Sequence, residues 1–169
     1  MNKFGLTLTA EMPILFANLI KSGGFVPKVF TLVNEDGDQY AFYLDKLDLN
    51  REGEGEFYRY ILKEHKAVAY ARGFLTALET GEQQIYIAII GKDNPTGIQL
   101  VATIERGEDG AISNIGQYRK DFGAREKIFH GWWFDDKESS SENTQRFQVL
   151  WESIKGNAMH RQMVDFVNG

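Results

Sequence analysis

QQIYIAIIG, residues 83–91, places Ile85, Ile87 and Ile89 on one side of an extended chain and Tyr86, Ala88 and Ile90 on the other. Side chains alternate across a strand, so a stretch apolar at both parities is buried on both faces and belongs at the centre of a sheet. Working outward, GIQLVATIER (97–106) turns Ile98, Leu100, Ala102 and Ile104 one way and Gln99, Val101, Thr103 and Glu105 the other, a strand with one wetter side. Asn94-Pro95-Thr96-Gly97 and Gly107-Glu108-Asp109-Gly110 supply turns on either side of it. Upstream, AVAYARGFLTALE (67–79) has helix-favouring alanine and leucine, but Val68, Tyr70, Arg72 and Phe74 alternate; we read a strand. Downstream, AISNIGQY and KIFHGWWF add two further strands, joined through a turn in RKDFGARE. Together these form an antiparallel meander over about residues 67–134.

The N-terminal third adds a hairpin and two helices. KVFTLVNEDGDQYAFYLDKL carries β-branched and aromatic residues on both sides of Asp36-Gly37, a dipeptide suited to a tight turn, and so predicts strands near 28–33 and 39–45. Pro13 fits a first helical turn, with Met12, Leu15, Phe16 and Leu19 on one face and Gly23-Gly24 as the stop, giving a short helix. The glycine-rich, charged NREGEGE (50–56) reads as a loop, followed by a helix over about 56–65 carrying Phe57, Tyr60, Ile61 and His65. At the other end, Ser141 as N-cap and the stripe Phe147, Leu150, Trp151, Ile154 predict a helix closed by Gly156. Met159, Met163, Phe166 and Val167 then suggest another, so that C-terminal helices fill about 142–167. The expected architecture is a single α+β domain over 1–169: five to seven antiparallel strands packed with three to four helices on a face.

The composition bounds the function. The chain has 169 residues and a net charge of −5, which favours solubility and opposes indiscriminate binding to nucleic acid or anionic membrane. With no cysteine there are no disulfides, thiolate nucleophiles or zinc ribbons. The start of the chain lacks a signal-peptide pattern, and no apolar run approaches the roughly 18 residues that a membrane helix requires. We therefore expect a cytoplasmic protein of a bacterium or phage, with no membrane contact.

Catalytic and metal motifs are missing in the same way. Neither a P-loop nor G-x-G-x-x-G occurs, and Gly-Glu-Gly in NREGEGE would set glutamates against a phosphate. His65, His130 and His160 are far apart, NEDGD departs from the calcium-loop spacing, and no G-x-S-x-G elbow activates a serine. No metal and no cofactor is expected, and the reading leans away from an enzyme. A hydrolase built from dispersed Asp, Glu and His residues stays as an alternative.

Two binding readings carry positive signals. The first is protein–protein contact, in an accessory or inhibitor role, with an unknown protein or a second copy as partner. Trp132, Trp133 and His130 in HGWWFDDKESSS, with Met159 and Met163 beyond, are its partner-binding residues, because tryptophan concentrates interface energy and methionine adapts to irregular surfaces. The second is nucleic-acid or nucleotide binding over about 117–133, where Tyr118, Arg119, Lys120, Arg125 and Lys127 interleave rings with cations. The acidic composition, with a pI near 5.3, opposes it.

Overall fold

A computed structural model describes residues 1–23, 25–45, 47–120 and 139–163. The elements run α1 (Lys3–Gly23), β1 (Val29–Asn34), β2 (Asp38–Tyr43), α2 (Arg51–Glu64), β3 (Ala67–Ala77), β4 (Gln83–Gly91), β5 (Asn94–Arg106), β6 (Ile112–Ile115), β7 (Arg119–Lys120), α3 (Ser141–Lys155) and β8 (Met159–Gln162). The strands form one sheet in the order β6-β5-β4-β3-β1-β2-β8, with β7 also paired to β5, and every pairing is antiparallel. The fold is the expected single-domain α+β architecture, with QQIYIAIIG as β4, buried from Gln84 to Gly91.

The order of the strands follows from simple geometry. β1 and β2 are joined by a tight turn in which Gly37 has φ 86°, so they pair directly. β2 and β3 both run antiparallel to β1 and hence parallel to each other. A parallel step needs a crossover, and α2 provides it. β3, the ambiguous stretch, is a strand whose parities differ in size. Ala69, Ala71 and Gly73 face α1, and the Phe16 ring lies against Gly73 where any Cβ would collide with it. Tyr70, Arg72 and Phe74 face the other way, with Tyr70 packed in the cluster that α2 and α3 complete.

Helices cover both faces of the sheet rather than one. On the first face Leu8, Met12, Phe16 and Ile20 of α1 meet an aliphatic wall of Val29, Val33, Ile85, Ile87, Ile89, Leu100 and Ile104. On the second, α2 and α3 close over an aromatic cluster in which Phe30 stacks on Tyr58 at 4.5 Å and on Tyr70 at 5.5 Å. Trp151 meets Phe42 edge-on at 5.4 Å in the same cluster.

Several boundaries depart from the sequence expectation. α1 is 21 residues long with Pro13 in its interior, not in a first turn. Its true start is Asn2, whose Oδ1 accepts from the Gly5 amide at 2.9 Å. α2 begins at Arg51, inside the stretch read as a loop. Asn50 caps it, accepting from the Gly53 amide at 2.7 Å, and Glu52 and Glu54 complement the positive end of the helix. The β4–β5 turn falls at Lys92-Asp93, immediately before Asn94-Pro95-Thr96-Gly97, which lies within β5. Gly97 has φ 69° at a bulge against Ile89. Ser140 caps α3, one residue before Ser141. Where a second C-terminal helix was expected, Met159–Gln162 form the edge strand β8, and Phe166 and Val167 lie outside the described residues. KIFHGWWF lies outside the described residues.

Candidate functional site

The sequence-based site residues separate. His130, Trp132, Trp133, Arg125 and Lys127 lie outside the described residues. In β7 the exposed Arg119 and Lys120 sit opposite Val101 and Leu100, and as neighbours in a strand they point to opposite faces. Tyr118 packs against the α1-side core with its hydroxyl buried and without a hydrogen-bond partner among the described residues, and burial pushes that phenol up to about 12. Met159 in β8 and Met163 just beyond it share the α1 side, yet Met159 is 50% exposed while Met163 is fully buried in the core. Between them Arg161 donates from Nε to Gln39 Oε1 at 2.6 Å and pairs with Glu11 of α1. Gln39 in turn donates to Thr31 Oγ1 at 3.1 Å. This polar chain fastens β8, β2 and β1 to α1.

The most unusual surface is the outer side of α1. Between Lys3 and Lys21 its exposed residues are Leu6, Ala10, Ile14, Ala17 and Asn18, with no charged side chain among them. Leu6 is 55% exposed and Ile14 62%. At 100° per residue Leu6, Ala10, Ile14 and Ala17 fall within one stripe, and Lys3 and Lys21 close its two ends. Helices that cover a sheet ordinarily turn a polar side to water; α1 is apolar on both sides. Phe25, just beyond its end, is 60% exposed as well.

A third feature joins α2, α3, β2 and β8. Trp151 Nε1 donates to His65 Nε2 at 2.8 Å. An indole nitrogen can only donate, so His65 must be neutral and carry its proton on Nδ1. Tyr40 lies between two imidazoles, 4.7 Å from His65 and stacked on His160 at 4.5 Å, with Lys155 over its ring at 5.6 Å. Burial and the nearby Lys155 ammonium hold His65 below the ordinary imidazole value, against weaker pulls from Glu64 and Asp38.

Across the same face, Glu54 accepts from Arg72 Nη2 at 3.0 Å and from the Tyr58 hydroxyl. Burial raises the Tyr58 phenol far above its ordinary value, so this is a structural tie between α2 and β3. Among the described residues no group of three or more His, Asp or Glu could hold a metal. A depression of about 450 Å³ beside the start of α1 sets Lys3 and Lys92 against Glu35 and Asp93, leaving no net charge to attract an ion.

No protein family matches this chain, and no curated protein or solved structure is detectably similar to it. Placing Pro13 in a first helical turn hides the α1 stripe in the sequence. Counting the 3.6-residue period backward from Met12 through Leu8 to Phe4 recovers the buried side, and Leu6, Ala10 and Ile14 then emerge on the other.

Proposed function

We propose that this chain is a cytoplasmic binding protein that acts through protein–protein contact, as an accessory or inhibitor protein of a bacterium or phage, and that the outer face of α1 makes the contact. The observation that carries the reading is the uncharged, solvent-facing stripe Leu6–Ala10–Ile14–Ala17 on a helix already buried on its other side. Its ends define the partner. Lys3 and Lys21 cap the stripe, so the complementary surface is an apolar segment flanked by acidic residues. A second copy packed antiparallel would bring Lys3 against Lys21 of its mate, which argues against self-association. The net charge of −5 argues against an anionic bilayer. No helix among the described residues is long and apolar enough to cross a membrane.

The test is site-specific photo-crosslinking in the native host, with the photoreactive residue at position 14 and, as control, at the exposed position 145 on α3. A discrete adduct from position 14 alone, lost in Leu6→Asp, is expected. Equal adducts from both positions, a lipid adduct, or only a dimer of the chain would overturn the proposal.

A further inference from the structure

We propose that the Trp151–His65 hydrogen bond is a proton-sensitive latch holding α3 and the edge strand β8 on the sheet. The bond requires His65 Nε2 to accept, which the imidazolium form cannot do. Proton uptake therefore turns an attractive contact into two opposed donors and leaves the Trp151 N–H facing a cation. The surroundings add to the effect. Every element packed around the ring brings a titratable group: Glu64 at the end of α2, Lys155 on α3, Asp38 on β2 and His160 on β8. Lys155 and His160 oppose the new charge, while Glu64 and Asp38 offset part of it.

The latch reaches β8 through Tyr40, which touches both His65 and His160. α3 and β8 are separated by only Gly156, Asn157 and Ala158, so they move as one arm. The far end of that arm is fastened by the Met163 amide donating to the Gly37 carbonyl at 2.8 Å. The direction of the pH effect follows from linkage. The folded protein holds His65 below its ordinary value of 6.5, so the open form takes up a proton first. Arm docking is complete above that value and weakens as pH falls through it, until the folded-state value is passed.

Hydrogen exchange by NMR on the full chain tests this. Protection of the Trp151 indole N–H and the Met163 amide should fall about two- to tenfold between pH 7.5 and 5.5, the scale of one net hydrogen bond, while the Ile87 amide in β4 keeps its protection. His65→Gln keeps an accepting oxygen and cannot titrate, so it should hold both signals across the range. Persistence of the pH effect in His65→Gln, or an equal fall at Ile87, would overturn the latch. Should that variant not fold, ring ¹⁵N shifts of His65 in the unaltered protein decide. A titration midpoint matching the loss of Met163 protection supports the proposal, and a separate midpoint refutes it.

Discussion

The two sides of the sheet are covered by helices of opposite character. On the α2/α3 side the interior is aromatic and the exterior polar: Glu142, Gln145, Arg146, Gln148 and Glu152 face water on α3, with Val149 the single large apolar exception. On the α1 side the interior is aliphatic, and the exterior is apolar too. Solubility explains the first arrangement and not the second. Leaving Leu6 and Ile14 in water gains nothing for folding, whereas burying each in a contact gains on the order of 1.5–3 kcal/mol. α2 and α3 thus cover the sheet with a polar exterior, whereas α1 covers it and leaves Leu6 and Ile14 in water.

The two sides of α1 should differ in their response to substitution. Phe16 is fully buried against Gly73, so Phe16→Ala should cost about 3–5 kcal/mol in urea denaturation, the largest effect expected in this series. A loss under 1 kcal/mol would mean that α1 is not docked as described.

The same contrast extends to the edge of the α1-side core. Met163→Ala should cost about 2–5 kcal/mol, because Met163 is fully buried beneath α1's side of the sheet. Met159→Ala, at the half-exposed start of β8, should stay within about 0.5 kcal/mol. Similar costs at both positions would return them to the single helical stripe that the sequence suggested.

That pair also shows why this part of the fold was hard to read. Met159 and Met163 are four residues apart, a spacing that puts two side chains on one face of a helix and on one face of a strand alike. Arg161 decides between them. As a strand, β8 turns Arg161 to the same side as the methionines, where it reaches Gln39 and Glu11. Its partners are more than 120 residues away in the chain, and no local pattern reveals them. β4 was legible because its run of six apolar residues fits only a two-sided burial, and the β1–β2 hairpin because Asp36-Gly37 names its own turn. α2's start was missed because Gly53 and Gly55 outweighed Asn50, although a capping side chain satisfies amides that glycines leave open. The Trp151–His65 pair joins residues 86 apart, so neither residue alone announces it.

The smallest effect on folding carries the most functional weight. Ile14→Asp changes a side chain that is 62% exposed, so its stability should stay within about 0.5 kcal/mol of the parent protein. Its crosslinked partner, captured from a photoreactive residue at position 10, should nevertheless be lost, since a carboxylate in the middle of the stripe would be buried unpaired in the complex. Val149→Asp is the matched control. Val149 is more exposed, at 73%, yet stands alone among polar neighbours on α3, and its replacement should leave both stability and partner capture unchanged. If Val149→Asp abolishes capture and Ile14→Asp does not, the binding surface is on the α3 side. The asymmetry between the two helices would then reflect packing alone.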